Sequence, residues 1–365
     1  MLKKIVLFSV VMSVIALLCP AAVTTARDAF EIAVDDQVIL PGEQFTPILL
    51  AEIAPEDMAE IAWSVTGNEA LQVQITDEAI TITPPEDGWL GTETLQFEVC
   101  DPAGICATDE AIFWAMAATQ PPVTVTFVGN AGFLITVGDK KILIDGLFEG
   151  LNDNYWVPDD VIELLETAAP PFDNIDLILI THEHADHYSR RVTRRHLENN
   201  PEAVLVSVPN VARQMALYAQ TIPVDLAVGE STQMVVADMG LEVLNILHGP
   251  VRDGQLVILN LGFVITVDGV RILHTGDLDA ANVSVEDLRD HYGLVDKHIT
   301  LGMVPHFILT RRDYRTRVTE GIQPDYVIPI HYAYTVPAYN ERQITRNFPD
   351  AVVFQAELES WTMPE

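Results

Sequence analysis

Four potential metal ligands stand within six positions of the stretch Thr181-His182-Glu183-His184-Ala185-Asp186-His187. They follow the wholly apolar run 177–180. Imidazoles and carboxylates packed this densely would be poor core residues, because a polar group buried without a partner is costly. At the end of a strand they lie in a loop and can converge on a cation. Imidazole nitrogen with carboxylate oxygen suits zinc first, and also manganese or iron. A cation held this way can polarise a carbonyl or phosphoryl oxygen and activate water.

The surrounding pattern supplies the elements that must position this loop. A four-residue apolar run reads as a strand buried on both faces. Further strands are expected at 123–128, 132–137, 141–145, 262–267, 271–274, 326–330 and 351–354. Gly138-Asp139 reads as a hairpin turn between the second and third of these. Helical stretches follow several of them, so residues 123–365 read as an α/β domain. Residues 27–118 differ. Alternation at Leu71, Val73, Ile75, at Ile80, Ile82 and at Leu95, Phe97, Val99, with turn sequences between, reads as an all-β sandwich. Residues 119–122 form the linker, which Pro121 and Pro122 stiffen.

Composition narrows the function. The chain carries a net charge of −33. Phosphate neutralisation by Lys and Arg drives nucleic-acid binding, so nucleic acid is excluded as a partner. The N-terminal 27–118 segment has one basic residue, Arg27, against 19 acids, and no cluster that could catalyse. It reads as a spacer or adhesion module touching a cell-surface or polymer partner. Lys3, Lys4, the apolar run 5–18 and the small residues Ala21, Ala22 and Ala26 read as a signal peptide over residues 1–26. The expected location is extracytoplasmic: secreted, periplasmic or on the cell surface. Cys100 and Cys106 then remain as the one cysteine pair, flanking Asp101-Pro102-Ala103-Gly104, and are expected to form a disulfide.

His-x-His-x-Asp-His after an apolar strand resembles the signature of the metallo-β-lactamase superfamily. Asn245-Ile246-Leu247-His248-Gly249, Leu273-His274-Thr275-Gly276-Asp277 and Val327-Ile328-Pro329-Ile330-His331 match that superfamily's later motifs in order. The resemblance implies a four-layered αβ/βα sandwich with a metal site at one edge of the paired sheets. It implies one metal held by His182, His184 and His248, a second by Asp186, His187 and His331, and Asp277 shared between them. Two divalent ions, zinc foremost, would hold a bridging hydroxide that attacks a lactone, phosphodiester or related ester or amide of a small molecule or lipid. No cysteine lies in this domain, unlike many zinc β-lactamases. His184 stands where flavodiiron proteins carry a carboxylate. The opening strands, with Val125-Thr126-Phe127-Val128-Gly129-Asn130-Ala131-Gly132 and Ile142-Leu143-Ile144-Asp145, look most like the branch of sugar-phosphate lactonases and N-acyl-phosphatidylethanolamine phospholipase D. That branch usually has His where Asn130 stands. Residues 27–118 resemble bacterial immunoglobulin-like modules through Gly91–Val99 and the Asp101–Gly104 turn. The competing reading is a surface-binding protein with a vestigial metal domain. The complete donor set separates the two, because a vestigial site loses ligands.

Asp186 is expected to guide a proton as well as bind metal. His306, after the apolar Met303-Val304-Pro305, is a candidate proton donor or substrate contact. His274 and Asp145 read as supports for the ligands. Tyr155, Trp156, Tyr332 and Tyr334 could overhang the site. Arg190, Arg191, Arg194 and Arg195 form one cluster and Arg311, Arg312, Arg315 and Arg317 another. The preferred reading of each run is a helix face paired with nearby acids such as Glu198 and Asp313; the other reading takes Arg190 and Arg312 as candidates for holding an anionic substrate.

Overall fold

The computed structural model describes residues 31–53, 61–86, 88–102, 104–152, 155–249, 258–332 and 337–364. The expected signal peptide, Arg27, Ala103 and Tyr334 lie outside these residues, as does the side chain of Tyr155.

Two mixed sheets form the larger lobe. The first has seven strands in the order Gln220–Pro223, Val204–Ser207, Leu177–Ile180, Lys140–Ile144, Gly132–Val137, Val123–Gly129, Ser360–Thr362. Its first four strands pair in parallel and the rest antiparallel. The second has six: Ser231–Val236, Met239–Asn245, Leu261–Val267, Val270–His274, Leu301–Pro305, Tyr326–Ile330. Here the antiparallel pairs come first and the parallel pairs last. The expected Gly138-Asp139 turn joins two antiparallel strands in register, with Lys140 opposite Val137.

Strand side chains alternate between faces, so each sheet can serve two cores. In the second sheet Val243, Phe263, Ile265 and Ile272 pack against the first sheet, in one core with Phe127, Ile135, Ile142 and Leu177. Their neighbours Leu244, Val264 and Leu273 join a separate core with Leu288, Ile308 and Leu309 from the helical segments Asp287–His291 and His306–Thr310. Helices Asp159–Thr167, Arg190–Asn199 and Pro209–Met215 bury Val161, Leu165, Val192, Leu197, Val211 and Met215 against the first sheet. The result is helix, sheet, sheet, helix. All four residues of Leu177–Ile180 are buried, as a strand covered on both faces requires.

One expected strand is absent. Residues 351–354 are not in a sheet; Val352 N donates to the Val327 carbonyl and Phe354 N to the Tyr332 hydroxyl. The segment is apolar because it packs under the core, with Phe354 1% exposed. The chain's last strand is instead Ser360–Thr362, which pairs with residues 124–126.

The described residues of 31–118 form a smaller, mainly β lobe with one short helix, Leu50–Ile53. A four-stranded sheet (Gln37–Ile39, Cys106–Ala115, Gly91–Cys100, Ala62–Thr66) and a three-stranded one (Ile48–Leu49, Ala79–Thr83, Gln72–Ile75) enclose Phe45, Ile80, Leu95, Phe97 and Phe113. Cys100 and Cys106 face one another across the hairpin, 4.1 Å apart at Cα, and are joined. This lobe grips the edge strand Ser231–Val236. The Asp35 carboxylate accepts from the Thr232 hydroxyl (2.8 Å) and Gln233 N (3.1 Å), and Asp36 accepts from Val235 N (2.7 Å). Carboxylates here occupy edge N–H groups that would otherwise invite another strand. Glu43 forms a two-pronged pair with Arg271, both contacts 2.6 Å.

Candidate metal centre

The metal-ligating residue types gather where strands of both sheets end. His182, His184, Asp186 and His187 occupy the loop after Leu177–Ile180. His248 follows Met239–Asn245, Asp277 follows Val270–His274, and His331 follows Tyr326–Ile330. One donor, His331 (φ 56°), and two flanking residues, Asn130 (φ 48°) and Asp145 (φ 45°), hold the left-handed backbone conformation that non-glycine residues avoid. Each costs about 1–3 kcal/mol, which the surrounding packing must offset. Gly276 (φ 55°) has a stricter requirement, since a Cβ there would lie 2.2 Å from the Asn260 side-chain oxygen.

Donor atoms of His182, His184, His248 and Asp277 lie mutually within 4.8 Å, and so do those of Asp186, His187 and His331. His182 Nε2 is 3.0 Å from His184 Nδ1. Asp277 Oδ2 is 3.8 Å from His182 Nε2, 3.6 Å from His248 Nε2 and 3.3 Å from His331 Nε2, while Oδ1 is 3.2 Å from His187 Nε2. His331 Nε2 is 3.5 Å from Asp186 Oδ2. Ligands about 2.0–2.1 Å from a tetrahedral zinc stand roughly 3.3 Å apart, so these spacings are of the size a coordination shell needs. Buried His187 Nε2, His248 Nε2 and Asp277 Oδ1 have no hydrogen-bond partner among the described residues. Such atoms are expensive unless something else satisfies them, and all three belong to the expected donor set. The residues present fit divalent cations.

Electrostatics point the same way. Burial alone would discharge His187, but Asp277 and Asp145 raise its pKa to about 10. His331 is likewise raised to about 10, by Asp277 and Asp186 against burial. Burial would raise Asp277, yet His187 and His331 hold its carboxyl well below the usual range. His182 is pushed well down by burial and by His187. Burial also lowers His248. Asp186 is lowered against burial by the His331 hydrogen bond. The paired carboxylates thus favour a positive charge at His187 and His331, while burial disfavours one at His182 and His248.

A further ring of residues fixes the donors. Asp145 Oδ2 accepts from His187 Nδ1 and from the Thr181 hydroxyl, both at 2.7 Å, and Oδ1 accepts from Thr181 N at 2.8 Å. His274 lies outside the donor set. It bridges the Ala131 carbonyl (2.9 Å) and Gly276 N (3.2 Å), a buried support for the Gly-Asp turn. Asn130 donates to the Asp186 carbonyl at 2.9 Å. Asn260 was not singled out from the sequence. Its amide donates to the Ile246 and Thr275 carbonyls, and its oxygen accepts from Asp277 N at 3.0 Å, tying three loops together. A lone Asn before a strand looks like any turn residue, so only its total burial marks it.

Beside the donors lies a cavity of about 390 Å³ lined by Asp277, His331, His306, Phe307, Arg311 and Tyr314, among others. His306 Nδ1 donates to the His331 carbonyl at 2.7 Å, and burial lowers its pKa. With Nδ1 donating to that carbonyl, the neutral tautomer carries its lone pair on Nε2. Tyr332 does not overhang the site. It is 1% exposed, stacked on Phe127, with its hydroxyl bonded to the Phe354 backbone. Trp156 is partly exposed on a two-stranded ribbon. Arg190 and Arg312 are exposed and do not line the cavity; Arg311 does. Arg191 pairs with Glu149 and Glu166, and Arg194 with Glu198 at 3.3 Å.

A four-layer sandwich with seven side chains of metal-ligating type gathered at its strand ends has the architecture of a metal-dependent hydrolase. The family model described as "Beta-lactamase superfamily domain" matches residues 124–331, more than half of the chain. A UPF0173 metal-dependent hydrolase from Pyrococcus furiosus is 30% identical over 215 residues, covering 58% of this chain and 84% of that protein. One from Thermococcus onnurineus is 30% identical over 230 residues, with the same two coverages, 58% and 84%. A solved structure titled as a possible metal-dependent hydrolase from Veillonella parvula superposes with a TM-score of 0.46 at 14% identity, covering 68% of this chain and 100% of that one. The chain belongs to the beta-lactamase superfamily, as an enzyme of the metal-dependent hydrolase type.

Proposed function

We propose that this enzyme is an exported dinuclear hydrolase, zinc-loaded, that cleaves a lactone, phosphodiester or related ester or amide in a small molecule or lipid. The observation that carries the reading is the convergence of two donor groups on Asp277, with three of their buried atoms otherwise unsatisfied. His182, His184 and His248 would hold one ion, Asp186, His187 and His331 the other, and Asp277 would reach both.

Divalent cations supply Lewis acidity and activate water at neutral pH when held in such a site. The chain's own groups do the rest. Asp145 keeps the His187 proton on Nδ1, so Nε2 stays a lone-pair donor. Asp186, fixed by Asn130 through its carbonyl, offers an oxygen to accept a proton from the attacking water. His306 Nε2 can take up a proton and return it to the leaving group. Phe307 and Tyr314 shelter the substrate from solvent.

Export is supported by the Lys3-Lys4 start, the apolar run 5–18 and the Cys100–Cys106 bond, which persists in oxidising compartments. Two sheets around one core support an immunoglobulin-like module, with a cell-surface or polymer partner as its proposed contact. The test combines elemental analysis with a hydrolysis screen of lactones, phosphodiesters and acyl amides. The expected result is about two equivalents of zinc and turnover that Asp277→Ala abolishes with the fold retained by circular dichroism. A chain that takes up no zinc on reconstitution overturns the reading.

A further inference from the structure

Among the described residues that line the cavity beside the donors, one is an Arg or Lys, Arg311. Its place follows from the backbone. Arg311 N closes the short helix His306–Thr310 by donating to the Phe307 carbonyl at 3.0 Å, and its own carbonyl accepts from Tyr314 N at 3.1 Å. That turn lays the guanidinium over the Tyr314 ring, 4.3 Å from its centroid. Stacking orients the planar fork while leaving its N–H edge available. Among the described residues no carboxylate pairs with Arg311. The neighbouring Asp279 turns its oxygens to Ala281 N (3.0 Å) and the Asn282 amide (2.7 Å). Arg317, on the same ring, is committed to the carbonyls of Val283 and Asp313. In a chain of net charge −33, a cavity-lining cation without an acidic partner among the described residues is the group left over for a ligand.

We propose that Arg311 is the specificity-determining residue: it holds an oxyanion, carboxylate or phosphate, on a substrate whose apolar body lies against Phe307 and Tyr314 and whose scissile group reaches Asp277 and His331. The inference rests on the hydrolase reading above and adds the substrate class. A cavity of about 390 Å³ suits a small molecule of this kind. The fork matches a planar carboxylate or a phosphate through two parallel hydrogen bonds, which lysine cannot reproduce.

The test is calorimetric titration of the zinc-loaded full chain with phenylacetate, benzyl phosphate and the neutral phenylacetamide, using wild type, Arg311→Ala and Arg311→Lys. The wild type should bind one oxyanion about tenfold or more tighter than the amide. The ratio should fall towards one in Arg311→Ala, with Arg311→Lys between. Whichever oxyanion loses more affinity in Arg311→Ala identifies the group recognised. A preference that survives in Arg311→Ala would mean that the anion seeks the metals themselves, and would overturn the proposal. So would a wild type with no preference, or no binding. The hydrolase reading fails separately: if neither nitrophenyl butyrate nor the nitrophenyl monoester of glutarate is turned over, hydrolysis of such esters is refuted while the binding ratio stands on its own.

Discussion

Asp145 and His187 are bound at 2.7 Å through Nδ1, wholly buried, and this contact decides which nitrogen of His187 faces Asp277. The other oxygen of Asp145 is occupied by Thr181 N at 2.8 Å. In Asp145→Asn the amide oxygen would stay with Thr181 N–H, so the NH2 would face His187 Nδ1. That donor forces the proton onto Nε2, where it blocks a metal. Chelator-competition titration should show one of two zinc equivalents weakened roughly 10–100-fold. Two unchanged equivalents would disprove the role.

A second prediction concerns pH and metal removal. His187 and His331 have folded pKa values of about 10, against 6.5 for the free side chain. Raised histidines contribute stability that is complete below about pH 6.5 and lost as pH rises towards 10. Thermal stability of the chelator-treated protein should therefore decline across that window. Asp277 and Asp186 are lowered, so their contribution is present above 3.8 and fades as pH falls through their folded values. The zinc-loaded protein should behave differently in the upper window, because those same protons must leave for the ions to bind, and affinity rises with pH. Melting scans at about pH 6.5 and about pH 9, with and without zinc, decide this. A stripped protein with a flat profile contradicts the assignment.

Much of this centre was readable because its signals are local. Leu177–Ile180 followed by His182, His184, Asp186 and His187 states both a doubly covered strand and a ligand loop within eleven residues. His248, Asp277 and His331 were readable only as members of an ordered set, since each alone resembles an ordinary polar residue. For Tyr332 the sequence left packing and overhang both open, with packing preferred, and the structure packs it in the core, because one step along a loop separates the site from the core. The same step separates Arg312 from Arg311: the turn closed by Phe307 and Tyr314, not composition, decides which one meets the cavity. Residues 351–354 looked like a strand because apolar runs carry no sign of their partner.

Gly276 supports a third prediction. With φ at 55° and the Asn260 oxygen 2.2 Å from where a Cβ would stand, Gly276→Ala must displace Asn260. That breaks a bond to Asp277 N and loosens those to Ile246 and Thr275. The expected cost is about 2–4 kcal/mol in urea unfolding, with weakened zinc retention. Asn260→Ala should weaken zinc retention in the same way. If zinc affinity in both variants equals that of the wild type, the three-loop tie does not position Asp277.

The last prediction concerns the joint between the lobes. Glu43 and Arg271 meet in a two-pronged pair in which the Arg271 side chain is 8% and the Glu43 side chain 28% exposed. The desolvated arginine keeps one other contact, to the Lys297 carbonyl at 2.8 Å. Removing Glu43 leaves a buried cation short of its partner, a loss that costs more than the pair contributes by being present. Glu43→Ala should therefore destabilise the chain by about 3 kcal/mol. Arg271→Met, which removes the charge and keeps an apolar stem, should cost less, and the double variant should be more stable than Glu43→Ala alone. Chemical unfolding of the four proteins gives the coupling directly. A Glu43→Ala variant with wild-type stability would show that the lobes do not depend on this pair. The carboxylates of Asp35 and Asp36 on the edge strand would then have to hold the joint.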